Sequence, residues 1–301
     1  MVRARNDGLR PPAPRSENAL NPVRIFLREI RIEHTLFALP FAYVGAILAA
    51  RGIPSLPALG WITLAVLGAR TAAMAANRFL DRKIDARNPR TARRAVASGA
   101  LAPSTMLWAT AAGLALLAWA ALELNPLCFE LLPVAIVLLL LYPLCKRFTW
   151  MGHFVLGAVD GLAPLGAYVA IAGAVTLPAL LLFIAVTLWV AGFDIIYALM
   201  DLTVDREQGI RSLPVRFGER SGRTLPFALH LAMLLLLAGA GVLAGAGSVY
   251  YLGVVAVGLL ILYERHLFRT GANLFVINER VFISNMLFSI FFLITTVGGY
   301  R

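Results

Sequence analysis

Cysteine and charged residues are scarce in this sequence of 301 residues. Only 2 residues are cysteine, and 14% are Asp, Glu, Lys or Arg. Two cysteines exclude a disulfide-stabilised scaffold and a zinc site built from cysteine ligands. Hydrophobic residues make up 60% of the chain, and the mean hydropathy is +0.79. Since too few polar residues remain to cover a soluble domain, the composition predicts a protein embedded in the lipid bilayer.

No interval between the apolar runs is long enough to build a separate soluble core, so we predict a single transmembrane domain over residues 21–301. Residues 1–20 are rich in Arg, Pro and Asn, which predicts a flexible cytoplasmic tail. Residues 21–32 alternate apolar and basic side chains at helical spacing. This pattern predicts an amphipathic helix on the inner face of the membrane.

Nine apolar runs approach the roughly 20 residues that a helix needs to cross a bilayer. They predict an all-α, polytopic membrane protein with transmembrane helices at Thr35–Ala50, Leu59–Leu80, Ser104–Leu122, Leu131–Cys145, Phe154–Ala172, Ala179–Met200, Leu225–Leu243, Val249–Tyr263 and Val281–Gly299. The division between the seventh and eighth helices is marked only by glycines at positions 239, 241, 245 and 247.

The net charge of +11 would suggest nucleic-acid binding in a soluble protein. Here the basic residues instead occupy alternate connections between the apolar runs, which the positive-inside rule explains without a nucleic acid. The same rule predicts a cytoplasmic N-terminus and a C-terminus outside. Arg70 is the one basic residue placed well inside an apolar run, where an arginine normally faces a protein cavity or a charged partner.

Two motifs of carboxylates recur at the predicted cytoplasmic ends of the second and sixth spans. They consist of Asn77, Asp81 and Asp85 in NRFLDRKID, and of Tyr197, Asp201 and Asp205 in YALMDLTVD. A spacing of four residues places each set on one helix face, where like charges cost about 0.2–0.5 kcal/mol. We therefore predict that the aspartates bind Mg²⁺, which prefers oxygen ligands, and a diphosphate bridged by two such ions. The alternative is that they are helix-end aspartates paired with neighbouring Arg and Lys side chains.

Arginines follow both motifs and can bind phosphate through paired hydrogen bonds. Arg90 and Arg94, which would share one face of a helical segment, are the pair that we expect to contact the diphosphate. His153 and His230 are interpreted as packing residues with satisfied ring nitrogens.

The segments NRFLDRKIDARNPRTARRAVASGAL and FDIIYALMDLTVDREQGIRSLPVRFG resemble the two signature regions of the UbiA superfamily of intramembrane aromatic prenyltransferases. The resemblance extends from about residue 28 to residue 300 and is strongest to the 4-hydroxybenzoate polyprenyltransferases. It implies helices around a central cavity whose acidic motifs hold Mg²⁺ and a polyprenyl diphosphate near the cytoplasmic face of the plasma membrane. The family's first motif has Asp at the position of Arg78. The resemblance therefore does not imply an additional carboxylate that assists the metal ions in this chain.

The reaction implied by the resemblance moves a polyprenyl group to the ring carbon ortho to the hydroxyl of an aromatic acid, in quinone biosynthesis. Besides the four aspartates, the resemblance implies that Tyr142 orients the reacting prenyl carbon and that Lys146 contacts the diphosphate. Arg70 is expected to bind the carboxylate of the acid, alone or with Asp194. The alternative for Arg70 is an ion pair with Asp194 or Asp160, which also lie inside predicted spans.

Three further alternatives stay open on the sequence alone. The acceptor is either 4-hydroxybenzoate or a dihydroxynaphthoate of menaquinone synthesis, since both are hydroxylated aromatic acids. Tyr142 and Lys146 also fit an interfacial Tyr beside a cytoplasmic Lys. A membrane transporter is the rival from another functional class, because intramembrane Arg and Asp residues also mark ion pathways.

Overall fold

The computed structural model describes residues 22–31, 35–270 and 273–300, and the regular elements in these ranges are helices. The predicted tail over residues 1–20 lies outside the described residues. The helices are α1 (Pro22–Glu29), α2 (Thr35–Ala50), α3 (Leu56–Asp85), α4 (Pro103–Leu124), α5 (Pro126–Cys145), α6 (Gly152–Ala172), α7 (Leu177–Ala198), α8 (Leu202–Glu207), α9 (Leu213–Phe217), α10 (Glu219–Ala244), α11 (Ser248–Arg269) and α12 (Leu274–Gly298).

Eight candidate membrane spans are present among the described residues, judged by length and composition. They are α3 to α6, the segment Leu177–Glu207 that begins with α7, and α10 to α12. The sequence predicts nine. The difference is α2, which has only 16 residues and therefore covers about 24 Å of a hydrocarbon core that is about 30 Å thick.

The predicted division between the seventh and eighth apolar runs is confirmed at the glycine cluster. Helix α10 ends at Ala244, and the next residue, Gly245, has a φ of +70°. Glycine adopts this left-handed conformation without the steric penalty that a Cβ atom would bring, and so it commonly ends helices. Helix α11 then begins at Ser248.

The segment that begins with α7 is the most enclosed candidate span. In its most apolar stretch of 18 residues, 56% of the residues are buried, against 17% in the corresponding stretch of α5. Helix α7 packs against α6 and α10. Its Trp189 joins an aromatic cluster with Phe41 of α2 and with Phe288 and Phe292 of α12, and the ring centroids of Phe41 and Trp189 are 4.8 Å apart. This aromatic packing connects the central helix to the two ends of the chain.

The second acidic motif differs from the continuous helix that the sequence predicts. Helix α7 ends at Ala198, a 3₁₀ turn covers Leu199–Asp201, and α8 carries Asp205. A 3₁₀ turn inside a helical segment often marks a functional position. Here the turn ends at Asp201, whose carboxylate accepts hydrogen bonds from side chains of the segment that follows α3.

Candidate active site

The C-terminal end of α3 and the segment that follows α7 line one polar cavity of about 360 Å³. Every site residue predicted from the sequence lies on its wall. These residues are Arg70, Asn77, Asp81, Asp85, Arg90, Arg94, Tyr142, Lys146, Asp194, Tyr197, Asp201 and Asp205. The fold thus brings together two motifs that are 120 residues apart in the sequence.

The two aspartates of the first motif are paired with basic side chains. Lys146, which follows α5, donates a short hydrogen bond to Oδ2 of Asp81. Arg94 donates from Nη1 to both carboxylate oxygens of Asp85, each at 2.8 Å. Lys146 and Arg94 therefore pair with carboxylates that the sequence assigns to metal ions. This agrees with the alternative of helix-end ion pairs, although the partners are not the neighbouring Arg and Lys side chains of α3.

Asp201 of the second motif is held by the chain that follows the first motif. Asn88 donates to Oδ1 of Asp201 at 3.1 Å, and Arg90 donates to both oxygens of the same carboxylate. The hydrogen bonds to Asp201 raise the pKa of Arg90 above its usual value. These contacts connect the two motifs directly, so the ends of α3 and α7 form one charged surface.

Arg90 and Arg94 were predicted to share one face of a helix, but the segment that carries them is not helical. Residues 86–101 form successive turns, in which the Thr91 hydroxyl donates to the carbonyl of Asp85 at 3.0 Å and the Arg90 amide donates to the Asn88 side chain at 2.9 Å. Asn and Asp side chains favour such turns because they hydrogen-bond to nearby backbone. The turns let the two arginines reach different aspartates.

Among the residues that the structure describes, the buried Oδ1 atom of Asp81 has no hydrogen-bond partner, although Arg147 approaches it to 3.6 Å. A buried carboxylate oxygen without a hydrogen bond suits a metal ligand. Within the described residues, no group of three or more His, Cys, Asp or Glu side chains is arranged to hold a metal ion. Mg²⁺ usually takes one or two carboxylates together with waters and substrate phosphates, so the Asp81–Asp85 and Asp201–Asp205 pairs fit this ion.

Tyr142 lies beside the first motif. Its hydroxyl oxygen accepts a hydrogen bond of 2.7 Å from Nδ2 of Asn77. The contact fixes the Tyr142 ring at the cavity wall, one helical turn before Lys146. Asn77 therefore positions Tyr142, a role that the spacing of the motif alone did not indicate.

The deeper part of the cavity contains the ion pair that the sequence left open. Arg70 donates from Nη1 to Oδ1 of Asp160 at 2.9 Å, so an Arg70–Asp194 pair is wrong for this structure. Asp194 instead lies 2.6 Å from Nδ1 of His153. Arg70 and Asp160 also line a second, almost entirely apolar cavity of about 150 Å³ between α3, α4, α5 and α6.

Two contacts near the cavity were missed by the sequence reasoning. Asn88 gave a weak signal, because an Asn–Pro step after a helix indicates a turn but not its partner. Arg78 is buried, and its Nε donates to the carbonyl of Glu29 at 3.0 Å. The carboxylate of Glu29 in turn accepts from the Ala95 amide at 2.8 Å. Arg78 thus joins α1 to α3, while Glu29 joins α1 to the turns that carry Arg90 and Arg94. This contact accounts for a basic residue inside the acidic motif.

The sequence profile of the UbiA prenyltransferase family matches residues 38–286. A 4-hydroxybenzoate octaprenyltransferase of Alkalilimnicola ehrlichii is 36% identical over 231 residues, which cover 75% of this chain and 76% of that protein. A protein of the same description from Shewanella frigidimarina is 34% identical over 82% of this chain and 87% of its own length.

Solved structures show the same fold. A UbiA homologue from Aeropyrum pernix superimposes with a TM-score of 0.77 and 34% identity, over 89% of this chain and 97% of that one. A UbiA homologue from Archaeoglobus fulgidus bound to GPP and Mg²⁺ superimposes with a TM-score of 0.68 and 19% identity, over 91% and 99% of the two chains.

Proposed function

The chain belongs to the UbiA prenyltransferase family, and we propose that it transfers a polyprenyl group from its diphosphate to 4-hydroxybenzoate, at the ring carbon ortho to the hydroxyl. The observation that carries the proposal is the meeting of both acidic motifs with Arg90, Arg94 and Lys146 in one cavity. Relatives that are 33–36% identical over most of the chain are 4-hydroxybenzoate octaprenyltransferases.

Asp81, Asp85, Asp201 and Asp205 would hold Mg²⁺, in keeping with the Mg²⁺ bound to the homologue from Archaeoglobus fulgidus. When bound, Mg²⁺ neutralises the diphosphate as the allylic C1–O bond breaks. Lys146, Arg90 and Arg94 now pair with three of the carboxylates. In the complex these basic side chains turn to the phosphate oxygens, because guanidinium and ammonium groups bind phosphate as readily as carboxylate.

The reacting prenyl carbon lies next to Tyr142 and Asn77 in this proposal, since both line the cavity between the diphosphate end and Arg70. The electron-rich ring of Tyr142 stabilises positive charge that develops at C1. Tyr197, which also lines this cavity, contributes to binding the substrate. The apolar cavity beside Arg70 supplies surroundings that exclude water from the allylic cation.

We also propose the membrane topology that the basic connections predict. Nine helices cross the plasma membrane, with α2 as the short first span, the N-terminus in the cytoplasm and the C-terminus outside. The acidic motifs and the mouth of the polar cavity then face the cytoplasm, where a water-soluble aromatic acid and a diphosphate headgroup are accessible.

The function is tested by incubating the purified protein with MgCl₂, prenyl diphosphates of several lengths and either 4-hydroxybenzoate or a dihydroxynaphthoate. We expect mass spectrometry to show C-prenylated 4-hydroxybenzoate. Product from the naphthoate alone would reassign the acceptor within the same chemistry. If neither acid is prenylated, while proteoliposomes of the protein carry an ion or solute flux, the transporter alternative replaces the enzyme.

Arg70 should select the carboxylate of the acceptor. We expect Arg70→Ala to raise the KM for 4-hydroxybenzoate by about 10-fold to 100-fold, since a hydrogen bond to a charged group is worth about 1.5–3 kcal/mol. The KM for the prenyl diphosphate should change much less. The measurement compares 4-hydroxybenzoate with its uncharged amide, because the variant should lose the preference of the wild type for the acid.

The Arg70→Ala change also leaves Asp160 without its partner. The double variant Arg70→Ala/Asp160→Asn therefore serves as the control, because it removes both charges of the pair. If the double variant regains the preference for the acid over the amide, Arg70 does not bind the carboxylate and serves only to neutralise Asp160.

A further inference from the structure

We infer that Asp194 is the base that accepts the ring proton of the aromatic substrate, and that His153 is the residue that positions it. The inference rests on the proposed function and adds a step to it. It starts from two contacts of His153, a buried side chain at the start of α6, and from the place of Asp194 on the wall of the polar cavity.

The hydrogen bonds of His153 determine which ring nitrogen carries the proton. The backbone N–H of Leu213 donates to Nε2 of His153 at 3.2 Å. Since Nε2 is an acceptor, the proton of a neutral imidazole lies on Nδ1. Nδ1 is 2.6 Å from Oδ2 of Asp194, so His153 donates to this oxygen. The neutral His153 thereby fixes the Asp194 carboxylate without cancelling its charge.

The carboxylate of Asp194 differs from most others in the cavity. Asp81, Asp85, Asp160 and Asp201 each form an ion pair with Lys or Arg. Within the described part of the chain, Asp194 is in contact with the neutral side chain of His153. A nearby cation stabilises the charged form of a carboxylate and so weakens it as a base. Asp194 has a neutral partner instead, and its side chain is 31% exposed.

The position of Asp194 suits the ring of the acceptor. Asp194 lies near the end of α7, seven residues before Asp201 in the 3₁₀ turn that follows, which corresponds to about 10 Å along the helix axis. Arg70, on α3, lies at the inner part of the same cavity. An acid with its carboxylate at Arg70 and its reactive carbon toward the diphosphate end therefore has its ring in the part of the cavity that Asp194 lines.

The step balances in atoms and electrons. A π electron pair of the ring forms the bond to the prenyl C1, and the C1–O bond breaks with its electron pair leaving on the diphosphate. The ring C–H bond at the same carbon then breaks, and its electron pair restores the aromatic ring. The proton moves to Oδ1 of Asp194 and afterwards to water in the cavity, which returns the carboxylate to its starting charge.

Asp194→Asn tests the base directly, using the full-length protein and 4-hydroxybenzoate deuterated at both positions ortho to the hydroxyl. The amide oxygen of Asn can still accept the hydrogen bond from His153. We expect kcat to fall by about 10²-fold to 10⁴-fold with little change in either KM. The variant should show a primary isotope effect with the deuterated acid that the wild type lacks, because proton removal becomes rate-limiting.

His153 has its own pair of variants. His153→Leu removes the donor to Asp194, and we expect a lower kcat together with the same isotope effect. His153→Asn keeps an N–H donor near the position of Nδ1 and should recover most of the lost rate. A merely structural role would lower the thermal stability and the amount of folded enzyme without producing an isotope effect. His266, which is exposed on α11, provides the control His266→Asn, with kinetics like the wild type.

The outcomes separate this inference from the proposed function. If the wild type forms prenylated acid while Asp194→Asn keeps its kcat and shows no isotope effect, Asp194 is not the base and the function stands. If the wild type forms no prenylated acid with any acceptor or donor, the proposed function is overturned and the inference with it.

Discussion

Asp81→Asn and Asp201→Asn are each expected to lower prenyl transfer by at least about 10²-fold to 10³-fold, the range found when one group that stabilises the transition state is removed. The loss should persist at every Mg²⁺ concentration, because an amide cannot replace the charge of a carboxylate ligand. Asp81 has a buried oxygen that accepts no hydrogen bond from the described part of the chain, and Asp201 lies where the two motifs meet. Both therefore belong to the proposed metal-binding surface.

Binding of the metal complex gives a readout that does not depend on turnover. Mg²⁺ together with inorganic diphosphate should raise the Tm of the wild type, since a ligand that binds only the folded state stabilises it. The two variants should lose this shift. The matched control is Glu207→Gln, because Glu207 is exposed on the same short helix as Asp205 and does not line the cavity. A variant of Asp81 or Asp201 that retains both turnover and the shift contradicts the assignment of the metal.

Much of the fold follows from the apolar runs, because a helix in lipid must satisfy its backbone hydrogen bonds internally and face outward with apolar side chains. The predicted runs match α2 to α7 and α10 to α12 to within a few residues at most ends. The largest difference is at α12, which begins at Leu274, seven residues before the predicted Val281. Charged and polar side chains in the terminal turns of such helices lie outside the apolar runs, so the runs are shorter than the helices.

The site was predictable as a set of residues but not as a set of contacts. Spacing alone brings Asp81 and Asp85 to one face of α3, as the structure shows. It does not reveal that α6, rather than α7, supplies the partner of Arg70. Partner choice depends on how neighbouring helices rotate against each other, and the hydropathy of a run does not specify that rotation.

The turns after α3 show the same limit. Arg90 and Arg94 were expected to share a helix face, but they reach different aspartates because the backbone is not helical there. Arg78 departs from the family's acidic motif, and its side chain donates to Glu29, whose carboxylate holds the turns against α1. Such long-range contacts carry no local pattern that a sequence reading can detect.

A second large effect is expected on stability, at a buried polar network away from the cavity. Glu264 of α11 accepts a hydrogen bond of 3.0 Å from Asn285 and lies 2.7 Å from Nδ1 of His230. Asn285 also accepts a bond of 2.6 Å from Trp189, whose carbonyl contacts Nε2 of His230 at 3.1 Å. The four side chains are buried and connect α7, α10, α11 and α12. The interpretation of His230 as a packing residue with satisfied nitrogens agrees with these contacts.

We expect Glu264→Ala to lower the free energy of unfolding by about 3–5 kcal/mol, because it leaves His230 and Asn285 buried without their partner. The measurement is the Tm in detergent. The control Glu279→Ala removes an exposed carboxylate from α12 and should change the Tm little. The double variant Glu264→Met/His230→Leu should recover most of the loss, because apolar side chains of similar size can replace a buried ion pair at little cost.

An unchanged Tm in Glu264→Ala would mean that this network does not stabilise the packing of α11 against its neighbours. The network does not line the polar cavity in the described structure, so the folded fraction of Glu264→Ala should keep the KM values of the wild type. This separates the two classes of buried acid in the protein. We expect the loss of Asp81 or Asp201 to act mainly on turnover, and the loss of Glu264 to act mainly on stability.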